Sequence, residues 1–151
     1  MERGALSQPL LYLSAYLERR RDEYVDRLQA VREEGEFESW VTFFLRGVAQ
    51  QAASAVRSAE SLVQLNADFR DRLRRIRARG QAVDAAESLI GNPYIAAPRL
   101  ADMLGVTRQG AQYVIGTLER AGIVVPVPNT RPALHVATEV LQVLQRDDRP
   151  E

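Results

Sequence analysis

The chain has 151 residues, with 20 Arg and no Lys set against 20 Asp and Glu, so its formal net charge is zero. With 46% apolar and 26% charged residues it has the composition of a folded protein of one domain or two small ones, not of a disordered tail. The absence of Cys excludes disulfides and thiolate metal sites and fits a cytoplasmic setting. No apolar run approaches the roughly 18 residues of a membrane span, and balanced charge removes bulk cationic attraction to nucleic acid.

The first residues show no basic stretch followed by an apolar core, so no secretory signal is expected. An all-Arg cation set suits bidentate contacts with carboxylates and phosphates, although G+C-rich codon usage produces the same bias.

Residues 10 to 34 read as an amphipathic helix. Leu13, Tyr16, Leu17, Tyr24, Leu28 and Val31 recur at helical spacing, Ser14 is a candidate cap, and Gly35 ends the element. Asp22 with Arg19, and Glu23 with Arg20 and Arg27, lie at helical neighbour distances. The pattern predicts a docked helix.

From Ser39 to about Arg79 an apolar three-or-four step continues without Pro, which predicts one helix on the order of 60 Å long. Its rival is a break near Asn66. The small middle face (Ala52, Ala53, Ala55, Ala59) lets another helix approach, and the absence of a strict heptad points to helix packing or exchange between chains rather than a long coiled coil. The Arg-rich end, Phe69 to Gly80, suits phosphate contacts, but Phe69, Leu73 and Ile76 keep the stripe intact, so a solvated helix face is the preferred reading.

Texture changes at Gly80. Residues 81 to 146 carry short elements and frequent Gly and Pro, with five Arg matched by five acids. Ala85, Leu89 and Ile90 mark a first helix. Pro98 opens a second, and Gly105 takes a left-handed turn. Val106 plugs the core and Thr107 caps a third helix whose inner face is Ala111, Val114, Ile115 and Leu118. Gly122 ends it. Ile123 to Val125 and Ala133 to Val136 read as strands around a Pro-rich loop, and Thr138 starts a last helix.

The expected fold is therefore mainly α: a helical arm of two helices, the second very long, over residues 1–80. A winged helix-turn-helix with a small β-hairpin follows over 81–146, and then a disordered tail, 147–151. A winged helix-turn-helix binds duplex DNA by placing its second motif helix in the major groove. On that expectation the DNA-contacting residues are Arg99, Thr107, Arg108, Gln109, Gln112, Tyr113 and Arg131. Arg108 is a base or phosphate reader, and Arg131 a phosphate contact at the wing tip.

The same fold also serves dimerisation and protein docking. A homodimer through the long helix is expected because an unbasic surface binds DNA weakly as a monomer. No catalytic residue, cofactor or metal ligand is expected. His135 lies on a strand among apolar neighbours without a nucleophile partner, no Gly-rich phosphate loop follows a strand, and Glu33–Glu34 lies on an exposed helix end.

Two segments carry a family likeness: the run Leu6 to Ser14, with Arg21-Asp22-Glu23-Tyr24, Trp40 and Phe43-Phe44-Leu45, and the stretch Val106 to Ala111. The first resembles the region just downstream of the active-site motif in Fic (filamentation induced by cAMP) proteins, and the second the C-terminal winged helix of long Fic proteins. The resemblance implies nucleotidyl transfer from ATP to a hydroxyl. That chemistry uses His-Pro-Phe followed by Gly-Asn-Gly-Arg, and neither stands in this sequence, where His135 is followed by Val-Ala-Thr. The expectation is a catalytically inactive remnant, either a truncated Fic product or a stand-alone regulator. The alternative is a non-enzymatic assembly module of a split AMP-transferase.

Overall fold

A computed structural model describes residues 13–146. The expected helix start at residue 10, the first part of the Leu6 to Ser14 run and the expected tail 147–151 lie outside them. The fold is mainly helical with a small three-stranded antiparallel sheet. In chain order the elements are α1 (Leu13–Arg19), α2 (Arg21–Glu34), α3 (Phe37–Arg75), α4 (Gln81–Gly91), β1 (Tyr94–Ala96), α5 (Ala97–Leu104), α6 (Arg108–Arg120), β2 (Val125–Val127), β3 (Leu134–Val136) and α7 (Thr138–Arg146). The described residues form two compact units, divided between Ala59 and Glu60.

In the first unit the helix expected over 10–34 is interrupted. At Arg20 the backbone leaves the helical region (φ −118°, ψ 37°), and its guanidinium lies 5.0 Å from the centre of the Tyr16 ring. The apolar repeat does not register this break because it continues on both sides. Ser14 is a helical residue of α1, not a cap, whereas Gly35 closes α2 in the left-handed conformation. Docking is achieved by α1, whose Tyr16 is buried against Phe43 of α3 with ring centres 5.6 Å apart. That approach needs Gly47, since a Cβ there would stand 2.5 Å from the Tyr16 ring. None of the α2 side chains is buried. Arg27 holds α2 in place, pairing with Glu23 at 2.9 Å, donating to the Ser39 carbonyl at 3.3 Å and lying over the Phe43 ring.

Helix α3 runs for 39 residues without a break at Asn66. Within the first unit, Leu45, Ala49, Ala52, Val56 and Ala59 follow a four-three-four-three spacing, and all five are exposed. The sequence hides this stripe because half-buried Val48 and Ala55 form a second one beside it.

The second unit starts well before Gly80, because Phe69 and Leu73 of α3 are fully buried in the same core as Ala85 and Leu89 of α4, Leu100 of α5, Leu118 of α6 and Val140 of α7. Arg77 adopts φ 59°, and the Ala78 amide donates back to the Leu73 carbonyl at 2.9 Å, which turns the chain into α4. Ile123 and Val124 are apolar because they turn into the core behind Gly122, not because they pair. The strand begins only at Val125 and is the edge strand that Pro126 tolerates. β3 is central, flanked by β2 and by a strand the sequence analysis did not anticipate, β1, with Tyr94 opposite Val136 and Val125 opposite the same residue. Thr138 begins α7 as expected.

Arg72 ties this unit together. Its two terminal nitrogens donate to the two carboxylate oxygens of Glu139 on α7 at 2.6 and 2.7 Å. One also donates to the Gly122 carbonyl at 3.1 Å, and the other meets Asp68 at 2.6 Å. The hydrogen bond to Glu139 is the main cause that raises the Arg72 pKa above its ordinary value. Substituting Arg72→Ala is expected to cost about 1–2 kcal/mol, less than a fully buried charged pair because water reaches the freed Glu139. Arg74→Ala, on the exposed side of the same helix, is expected to change stability by less than about 0.5 kcal/mol. Denaturant unfolding of the two variants checks the contrast.

Candidate functional site

The site is built on α6 and on how α5 delivers it. Pro98 stands at the start of α5, where the absence of its N–H is harmless, and Leu100 and Ala101 are buried. Gly105 ends α5 at φ 64°, ψ 35°, a conformation that glycine adopts without strain, and the Val106 amide closes the turn on the Ala101 carbonyl at 3.0 Å. Half-buried Val106 packs against the core. Thr107 then caps α6, its hydroxyl oxygen accepting from the Gly110 amide at 3.1 Å. Ala111, Val114, Ile115 and Leu118 are buried, which fixes the rotation of α6 about its axis.

That rotation turns Arg108, Gln109, Gln112 and Tyr113 to the outside, where all four are exposed. Arg108, Gln109 and Gln112 make no side-chain hydrogen bond or ion pair with the described residues, and the first turn of α6 carries no acid. Tyr113 is 72% exposed. Its ring is accompanied by the Arg120 guanidinium 5.9 Å from its centre. Thr107 is adjacent but is occupied in capping.

The other two expected residues stand on different elements. Arg131 is exposed in the β2–β3 loop, which Thr130 braces by donating to the Val127 carbonyl at 3.1 Å and accepting from the Leu134 amide at 2.9 Å. Arg99, exposed on α5, lines a narrow crevice of about 40 Å³ with Asn92, Tyr94 and Met103.

One cation, Arg120, escaped the sequence analysis, and two more, Arg77 and Arg79, were weighed there only as part of the Phe69 to Gly80 run. Arg77, Arg79 and Arg120 line a cleft with Tyr113. The signal for Arg120 was its spacing, two helical turns on from Tyr113 on the same face of α6. Arg77 and Arg79 were legible only as part of a charge run.

His135 on β3 lies with Nε2 3.2 Å from Glu119 of α6, and its buried Nδ1 has no partner. Among the described residues no group of three or more His, Asp or Glu could hold a metal ion, and no helix is long and apolar enough to cross a membrane. No protein-family model matches the chain.

Capping and exposure separate two neighbours here. Thr107→Ala should cost about 1 kcal/mol and speed hydrogen exchange at the Gly110 amide, whereas Arg108→Ala should leave stability within about 0.5 kcal/mol. Exchange rates and thermal melts of both variants test this.

Proposed function

We propose that the chain is a DNA-binding regulator whose second unit is a winged helix-turn-helix, acting in the cytoplasm as a homodimer and without catalytic activity of its own. One observation carries the reading. α6 buries a complete apolar face and presents Arg108, Gln109 and Gln112, which have no side-chain partner among the described residues, and the exposed Tyr113 ring on the other, beginning in its first turn. Side chains of those types at the start of a helix are the ones that reach base edges in a major groove. The β2–β3 loop would be the wing, with Arg131 on a phosphate. The likeness to the back part of Fic proteins supports this reading, as does the absence of the His-Pro-Phe and Gly-Asn-Gly-Arg stretches on which their transfer chemistry relies.

Binding is read by fluorescence anisotropy with a mixed-sequence duplex pool at about 50 mM salt, followed by selection of preferred sequences. Saturable binding that weakens steeply as salt rises is the expected result. Arg131→Ala should weaken all sequences alike, and Arg108→Ala should flatten the preference at one position. Failure to bind at low salt overturns the reading.

A second reading, a non-enzymatic assembly module, draws on the exposed Leu45, Ala49, Ala52, Val56 and Ala59 stripe of α3. Small and apolar residues at that spacing let two helices pack closely. Light scattering should give twice the chain mass for the native protein and a single chain mass for Val56→Glu. An unchanged mass in that variant rules out α3 as the contact.

A further inference from the structure

The cleft beside Tyr113 has a character that the outward face of α6 lacks. It encloses about 480 Å³, within the range of small-molecule sites, between the turn that ends α3, the start of α4 and the far side of α6. Its floor is apolar, formed by Ile76, Ala82 and Val114, and its rim carries Arg77, Arg79 and Arg120. No acid lines it. Arg77 and Arg79 make no ion pair with any described residue, and Arg120 is held only by the Thr117 hydroxyl at 3.0 Å and the Tyr113 ring. Ile76 is 42% exposed, so the cleft brings an uncovered aliphatic side chain beside the uncovered Tyr113 ring and unneutralised guanidiniums.

Two other clefts are balanced in charge, and the crevice at Arg99, of about 40 Å³, is too small to take a ring. The one at Gly35 sets Arg27 and Arg46 against Glu36 and Glu38, and in the one at Leu65 the carboxylates of Asp68 and Glu139 are already held by Arg72.

We infer that this cleft is a binding site for a small aromatic anion. The ring would lie on Ile76 and Val114 beside Tyr113, and the carboxylate or phosphate would be gripped by the guanidiniums of Arg77, Arg79 and Arg120. Planar forks of N–H donors match both headgroups, and the apolar floor supplies what an inorganic ion alone could not use. The site shares Tyr113 with the duplex-binding reading but does not depend on that reading. Because Tyr113, Val114, Thr117 and Arg120 belong to α6, an occupied cleft would be felt along that helix.

The test is an NMR titration of the full ¹⁵N-labelled chain with benzoate, phenyl phosphate, benzyl alcohol and inorganic phosphate in parallel. Saturable shifts centred on residues 76–82 and 113–120 are expected with one or both aromatic anions. The arm that binds more tightly identifies the headgroup. Benzyl alcohol should give none, and inorganic phosphate markedly weaker ones. Arg77→Gly removes one guanidinium while placing glycine at a left-handed position, so the fold should hold and affinity should fall about tenfold. Arg79→Ala, away from the turn's strained residue, serves as the second variant with the same expected loss. Equal response to the alcohol, shifts spread over other Arg-bearing surfaces, or undiminished affinity in both variants overturns the site. So does a DNA duplex that moves these amides when neither small anion does.

Discussion

The second unit is braced by one guanidinium that joins three of its segments. Arg72 is only 27% exposed, and it reaches three segments that are far apart in sequence: its own helix at Asp68, the turn after α6 at Gly122, and the first turn of α7 at Glu139. A lysine could not make all four contacts, because its ammonium carries three donors on one nitrogen, whereas the planar fork offers two N–H on each terminal nitrogen. Glu139 is well placed as acceptor, since a carboxylate in the first turn of a helix is favoured by the unpaired amides there. The consequence reaches α6. The end of that helix is held by the same residue that positions α7, and so the outward face of α6 is presented from a braced support.

Beneath the clamp the core follows the apolar stripes closely. Phe69 and Leu73 from α3, Leu89, Leu100, Leu118, Ile123 and Val140 are all but fully buried, one or two from each segment. Each contributes a large apolar side chain, each burial worth about 2–3 kcal/mol. The result is a helix, α6, whose two faces have different roles. Ala111, Val114, Ile115 and Leu118 are fixed by packing, and Arg108, Gln109 and Gln112 have no side-chain partner among the described residues.

Much of this was legible in the sequence, for identifiable reasons. Gly105, Val106 and Thr107 specify a turn, a plug and a cap by residue type alone, and each takes that role. The long helix was legible because nothing between Phe37 and Arg75 breaks it. What escaped notice depends on contacts distant in the chain. β1 is three residues with no period of its own and exists because β3 pairs with it. Ile123 and Val124 look like a strand but are a core plug, and composition cannot tell the two apart. The break at Arg20 sits within a run of three arginines that leaves the apolar repeat undisturbed. The Arg72 clamp was hidden for the same reason as the cleft. Six arginines between Phe69 and Gly80 look alike in a charge count, and only their partners separate them.

That separation also resolves how a chain of zero net charge can hold a cationic surface. Charge neutrality is a sum over the whole molecule, whereas a ligand experiences fields screened over about 10 Å at ordinary salt. Around the Arg-rich end of α3 the neighbouring acids are held locally: Glu139 and Asp68 by Arg72, Glu87 by Arg70 and Asp71 by Arg74. Among the arginines without an ion pair to a described residue, three meet at one place in the second unit. Arg77 and Arg79 remain unpaired at the mouth of one cleft, with Arg120 beside them, and Arg108 remains unpaired at the start of the helix that forms its wall. Attraction of an anion depends on such local excesses and not on the isoelectric point, so balanced total charge does not by itself argue against the anion-binding and duplex-binding proposals.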